Sequence, residues 1–140
     1  MRPAEPIAAL CEIADEERAS PRRQRVTLTL PYPPSVNNLY RNAGKRRIKT
    51  EAYMAWLNAA GWELRSQRPG HVPGRYRLSL LLTPPDRRAR DADNTFKAVS
   101  DLLKTCGVIA EDSLAKAVSA EWSDAPPQKP GHVLVTVEAA

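Results

Sequence analysis

Apolar and polar residues change period several times along this chain, and each change marks an element. Val26, Leu28 and Leu30 alternate with Thr27 and Thr29, the period of two expected of a half-buried strand. Pro31-Tyr32-Pro33-Pro34 stops that strand, because proline cannot donate to a ladder and holds its predecessor extended. After a basic loop from Arg41 to Lys49, Thr50-Glu51 opens a helix of about 16 residues with Thr50 as its N-cap. Tyr53, Met54, Trp56, Leu57, Ala60 and Leu64 are available for its buried side, and Gly61 weakens its interior. Residues 76–82 read as a second strand, ended by Pro84-Pro85. Phe96, Val99, Leu102, Leu103 and Cys106 then recur at helical spacing, predicting a second helix over residues 93–106. Asp93, Lys97, Asp101 and Lys104 fall on its other side, Gly107 supplies a left-handed stop, and Val108-Ile109-Ala110 reads as a short extended return. Residues 116–122 and 132–138 complete the series as two strands joined by a proline-rich turn. The order is β-α-β-α-β-β. It predicts an α/β (α+β) fold, a small mixed sheet of about four strands packed against two main helices.

A chain of 140 residues suffices for one domain rather than two. Residues 25–140 carry the domain pattern. Residues 1–24 read as an N-terminal extension, with one short helix over residues 6–18 or disorder as equal alternatives. Cys11 and Cys106 make neither a disulfide framework nor a metal-ligand spacing, and Cys106, on an apolar helix face, reads as a buried free thiol. No apolar run approaches the roughly 18 residues of a membrane span, and the segment from Ile7 to Ile13 is too short for a signal peptide. A soluble cytoplasmic protein with no membrane partner is expected. Charge is uneven: residues 1–24 carry a net −1, residues 25–90 a net +10 and residues 91–140 a net −4. So basic a middle third suits a polyanion, with binding that weakens steeply as salt rises.

Against that background stands Arg90-Asp91-Ala92-Asp93-Asn94-Thr95-Phe96-Lys97, answered after one helix by Glu111-Asp112. Like charges at close range repel unless a cation lies between them. A hard cation such as Mg²⁺ suits them, since it takes a few carboxylate oxygens, retains waters and is often completed by a phosphate. In extended backbone Asp91 and Asp93 point to the same side and address one metal. Asp112 joins them only if the return after Gly107 runs antiparallel to the helix over roughly 20 Å. Lys97, one turn inside the helix, is placed to offset charge on a transferring phosphoryl group, and Arg90 and Asn94 flank the cluster as phosphate or water contacts. The plain alternative is an i,i+4 ion pair between Asp93 and Lys97, with Asp93 capping the helix.

The remaining chemistry is thinner. His71 and His132 are isolated, and neither a zinc site nor a Gly-rich phosphate loop is present. Arg41, Lys45, Arg46, Arg47 and Lys49, with Tyr40 beside them, suit contact with a DNA backbone, as do Arg87 and Arg88 together with Arg90. Trp56, Trp62 and Trp122 read as core residues rather than base-stacking ones.

The chain resembles the RusA-type crossover junction endodeoxyribonucleases, small homodimeric Holliday junction resolvases of bacteria and prophages. The resemblance runs over about residues 26–138. It is carried by Leu30-Pro31-Tyr32-Pro33-Pro34-Ser35-Val36-Asn37-Asn38 and by Pro85-Asp86-Arg87-Arg88-Ala89-Arg90-Asp91-Ala92-Asp93-Asn94, continued by Lys97, Asp101, Gly107 and Glu111-Asp112-Ser113. It implies that Asp91, Asp93 and Asp112 bind Mg²⁺, with Mn²⁺ as a substitute, and that Lys97 is catalytic beside them. It further implies a homodimer that cuts four-way junction DNA by paired symmetric nicks in recombination and repair, without a small-molecule cofactor. Two departures stand out. Glu111-Asp112 occupies the place of a common pair of aspartates, and the first 24 residues have no counterpart. The competing readings are a nuclease of broader branched-DNA habit, a junction-binding protein without catalysis and, weakest, a single-strand-binding module.

Overall fold

A computed structural model describes residues 21–140, so the candidate helix at residues 6–18 and Cys11 lie outside the described residues. Among the described residues, six strands and two α-helices follow in order: β1 (Arg25–Pro31), β2 (Tyr40–Ala43), β3 (Arg46–Lys49), α1 (Glu51–Ser66), β4 (Tyr76–Thr83), α2 (Phe96–Thr105), β5 (Ala115–Trp122) and β6 (His132–Ala139). Short 3₁₀ turns at Val36–Asn38, Ala92–Thr95 and Asp112–Leu114 connect them. The expected four-strand sheet is present, in the order β1-β6-β4-β5, with β4 and β5 parallel and the other neighbours antiparallel. Alternation along β1 buries Val26, Leu28 and Leu30 against Val133, Val135 and Val137 of β6 and Leu78, Leu80 and Leu82 of β4. The two helices cover that face through Tyr53, Trp56, Leu57, Ala60 and Leu64 of α1, and Ala98, Val99, Leu102 and Leu103 of α2. Cys106 is buried, as its place on the helix implied.

Several local expectations change. The basic segment from Arg41 to Lys49 is not a loop but the hairpin β2–β3, turned at Gly44, whose φ of 65° is the left-handed region glycine tolerates. Its charged side chains hid it, because neither strand has a buried face. Met54 and Trp122, both expected in the core, are each 39% exposed. Gly61 interrupts nothing, since α1 is continuous and buries it. The second helix begins with a 3₁₀ turn before turning α-helical at Phe96, which is half-buried at the core's margin. It ends as the Gly107 signal requires. With φ at 76°, Gly107 N donates to Lys104 O at 3.1 Å and Val108 N to Leu103 O at 2.9 Å, the paired bonds of a Schellman stop. Val108 and Ile109 then form buried bends rather than an extended return, because their side chains are drawn into the core.

The two sheet edges differ. At β1, Gln67 beyond the end of α1 clamps Thr29, accepting from its N–H at 2.9 Å and donating to its carbonyl at 2.7 Å. Trp56 Nε1 donates to Pro31 O at 2.9 Å. At β5, the strand pairs only with β4 among the described residues. Val118, Ala120 and Trp122 align with the buried Leu78, Leu80 and Leu82, yet Val118 is 50% exposed. The core face is therefore only partly covered at β5, where Ala120 still packs against the core while Val118 and Trp122 are exposed.

Candidate active site

The loop that leaves β4 carries the basic run and the first acids. Asp86 organises it: its carboxylate accepts from Arg88 N at 3.0 Å and pairs with Arg90 Nη1 at 2.8 Å. The Arg90 guanidinium and the Arg88 N–H hold the Asp86 carboxyl at about 2. Arg90 also donates to the carbonyls of Asp86 and Arg88, both at 3.2 Å, and its guanidinium lies over the Tyr32 ring at 5.8 Å. Arg87 and Arg88 project into solvent. Arg90 is fixed, Arg88 holds only a long 3.7 Å contact from its Nε to the Asp86 carboxylate, and both Arg87 and Arg88 are exposed enough to meet a phosphate.

Asp91 has extended backbone (φ −93°, ψ 127°), and Ala92 then enters the 3₁₀ turn. The two-residue alternation that was to put Asp91 and Asp93 on one side does not apply, since only the first is extended. Asn94 N donates to Asp91 O at 3.2 Å, but neither aspartate caps through its side chain, and the N-cap of α2 is Thr95. The capping reading of Asp93 fails, as does its pairing with Lys97. Lys97 Nζ instead bonds Asp101 Oδ1 at 3.1 Å, and Asp101 Oδ2 accepts from the Tyr53 hydroxyl at 3.1 Å. Burial, then the charge of Asp101 and this bond, push the Tyr53 phenol far above its ordinary 10.0. The bond to Asp101 dominates at Lys97 and raises its ammonium above the ordinary 10.5, with Asp112 contributing in the same sense. Lys97 is therefore a fixed cation at neutral pH, suited to offset charge rather than to remove a proton.

Asp112 is held by its backbone, whose carbonyl accepts from the Tyr76 hydroxyl at 3.3 Å. Burial and then the nearby Asp112 charge raise the Tyr76 phenol. The turn carrying Asp112 packs on α2, and the turn carrying Asp93 packs on β5. The acids of this region fall into two sets. Asp86, Asp101 and Glu111 each have a cationic partner, the last being Lys104 at 2.9 Å. Among the described residues, the carboxylates of Asp91, Asp93 and Asp112 have none, and all three are exposed. The unpartnered set is the one singled out from the sequence. Its members do not converge, however: among the described residues no three acidic, histidine or cysteine side chains stand close enough to hold a metal ion. What remains is a set of hard oxygen donors open to solvent, a donor type that suits Mg²⁺ when a substrate phosphate completes the shell.

The basic hairpin connects to this site through Tyr40, noted beside the basic run in the sequence, and through the Tyr53 hydroxyl, which the sequence did not flag. Arg47 and Lys49 lie over the Tyr40 ring at 5.1 and 6.0 Å, and Tyr40 meets Tyr53 edge-on at 5.8 Å. Tyr53 leads to Asp101 and so to Lys97. Arg41, Lys45 and Arg46 are exposed along the same hairpin. Tyr53 read only as a core residue, because helical periodicity reports its ring and not its hydroxyl.

A family profile described as Endodeoxyribonuclease RusA matches residues 31–138. Among curated proteins, the chain is 36% identical over 86 residues to the crossover junction endodeoxyribonuclease RusA of Aquifex aeolicus, covering 61% of this chain and 68% of that one. It is 30% identical over 112 residues to the protein of that name from Escherichia coli K12, covering 79% of this chain and 92% of the relative. It is 32% identical over 111 residues to the one from Enterobacteria phage 82, covering 79% and 91%.

Proposed function

Because this chain belongs to the RusA endodeoxyribonuclease family, we propose that it hydrolyses phosphodiester bonds in four-way junction DNA, with Mg²⁺ as its cofactor, during recombination and repair. The observation that carries the reading is the sorting of carboxylates. Asp91, Asp93 and Asp112 stand bare beside a lysine fixed as a cation, within a strongly basic chain. Asp91 and Asp93, with Asp112 joining as the DNA backbone settles, would hold Mg²⁺, and Mn²⁺ would substitute. Bound there, the ion would polarise the phosphate and acidify a water molecule. Lys97 offsets the negative charge that builds on the phosphoryl oxygens. Arg87, Arg88 and the hairpin residues Arg41, Lys45, Arg46, Arg47 and Lys49 hold the junction arms through phosphates, reading shape before sequence.

Paired cuts require two sites, and each chain supplies one, so the acting form is a homodimer. The surface that suits it is β5, an open strand edge bearing a partly covered apolar row, where two copies extend one sheet about a two-fold axis. One observation favours a rival: the separation of the three acids suits a protein that binds junctions without cutting them.

A single experiment distinguishes the two. A synthetic four-way junction is incubated with Mg²⁺ and either the wild-type chain or Asp93→Asn. The endonuclease reading expects paired symmetric nicks by the wild type, and none by a variant that still shifts the junction on a gel. Binding without nicks by both proteins would refute it, and equal cutting of linear duplex would remove the junction selectivity.

A further inference from the structure

Beside the acids lies a cleft of about 680 Å³, within the ~300–1,000 Å³ range typical of small-molecule sites. The Tyr32-Pro33-Pro34 segment forms one wall, the Arg90-Asp91 turn forms another, and Asn38 and Asn94 border it. Its rigid parts are unusual for an exposed loop region. Arg90 is bound by the Asp86 carboxylate and two carbonyls, and its guanidinium covers the Tyr32 ring at 5.8 Å. Tyr32 packs against the core, and burial raises its phenol above the ordinary 10.0 despite the neighbouring Arg90, so the ring stays neutral. A planar cation and an aromatic ring, flanked by prolines, make a surface on which a nucleobase stacks. The two asparagine amides offer both donors and acceptors to a base edge. Duplex DNA presents no free base to such a cleft, whereas at the strand-exchange point of a junction the backbone turns and stacking is interrupted, so that a base leaves its stack there at lower cost.

We propose that this cleft receives one unstacked deoxynucleotide of the cut strand, next to the scissile phosphate that the cleft's own Asp91 addresses, with its base against Tyr32 and Arg90. The proposal rests on the endonuclease reading and adds to it a base-binding site. It assigns to Tyr32 and Asn38 a positioning role, because holding the neighbouring base sets where the phosphate lies relative to Asp91 and Asp93.

The test scans a junction strand with abasic nucleotides at every position flanking the cut and measures single-turnover cleavage by the wild type, Tyr32→Leu and Tyr32→Phe. One abasic position is expected to slow the wild type about 5- to 150-fold, the span expected when one base–aromatic stack is removed. Tyr32→Leu is expected to be slow on the intact junction and no slower on the abasic one, while Tyr32→Phe follows the wild type. Asn38→Ala, a change at an exposed side chain, carries the same test if leucine at position 32 unfolds the protein. A wild type that cuts at equal rate whichever flanking base is removed overturns the proposal and leaves the endonuclease reading standing. So does a Tyr32→Leu effect that multiplies with the abasic effect. A wild type that cuts no junction at all overturns the endonuclease reading itself.

Discussion

Replacing Lys97 by methionine separates the catalytic account of this residue from a structural one. Methionine keeps an unbranched apolar stem and removes the ammonium. The structural cost is small. The Lys97–Asp101 pair is 3.1 Å apart, but the two side chains are 48% and 24% exposed, and such i,i+4 pairs contribute only about 0.3–0.5 kcal/mol. Asp101 is not stranded by the change, since the Tyr53 hydroxyl still donates to its other oxygen at 3.1 Å. Thermal unfolding of Lys97→Met is therefore expected within a few degrees of the wild type, at about 2–8 °C per kcal/mol. The effect on rate is of another order. Removing one donor aimed at developing charge typically costs about 10²–10³ in rate, or about 3–4 kcal/mol. Single-turnover cleavage of a four-way junction under saturating protein, with unfolding followed in parallel, measures both quantities. Lys97→Arg, which keeps the charge, is expected to recover part of the rate. A Lys97→Met rate within about threefold of the wild type, or one that falls only in step with stability, would refute the assignment.

Three other outcomes follow from the geometry. Replacing Lys45 and Arg46 on the exposed hairpin by alanine should weaken junction binding uniformly across sequences, and should lower the log–log salt slope by about 0.9 for each phosphate that the variant no longer neutralises. Asp86 has its carboxyl held at about 2 against an ordinary 3.8. Its clamp on Arg90 therefore contributes fully above 3.8 and disappears as pH falls through about 2. The difference in melting temperature between the wild type and Asp86→Asn should be constant from neutral to mildly acidic pH and should shrink only below the ordinary value. On the proposed dimer through β5, Val118→Lys, at a half-exposed position of that strand, should shift sedimentation from dimer to monomer and turn paired cuts into single nicks.

What the sequence revealed and what it hid have the same origin. Elements with one buried face were legible, because burial imprints a period: Val26, Leu28 and Leu30 for β1, and Phe96, Val99, Leu102 and Leu103 for α2. Caps and stops that need a particular backbone geometry were legible too. Thr50 Oγ1 does accept from Tyr53 N, at 3.1 Å, and Gly107 does take positive φ. The hairpin β2–β3 was hidden, since a strand pair with no buried face leaves no alternation to read. Trp122 misled for a related reason. Its strand has the alternation of a core strand, but whether an edge strand is covered is a property of the sheet order, which local pattern does not contain. At the candidate site, residue type pointed to Asp91, Asp93, Asp112 and Lys97. It could not disclose which carboxylate Lys97 would choose, because Asp93 and Asp101 lie equally far along the helix on either side of it. The fold decides for Asp101, whose second oxygen is held by Tyr53 on the other helix.

That choice has a consequence for how the proposed enzyme selects its substrate. Asp93 precedes α2 and Asp112 follows it, on a turn that packs back against the helix, and among the described residues no three acidic, histidine or cysteine side chains stand together as a metal site. With Lys97 drawn along the helix toward Asp101, no cationic side chain among the described residues pairs with the bare acids. Mg²⁺ is commonly held by one or two carboxylates together with substrate phosphates, so on the proposed reading the site is finished by DNA rather than before it. A backbone that runs straight past the turn meets Asp91 and Asp93 alone. A backbone that bends sharply, as at a strand-exchange point, also reaches Lys97 and Asp112. On that reading, selectivity for branched DNA arises within the active site itself, from acids that form no metal site of their own until the substrate's curvature brings its phosphates between them.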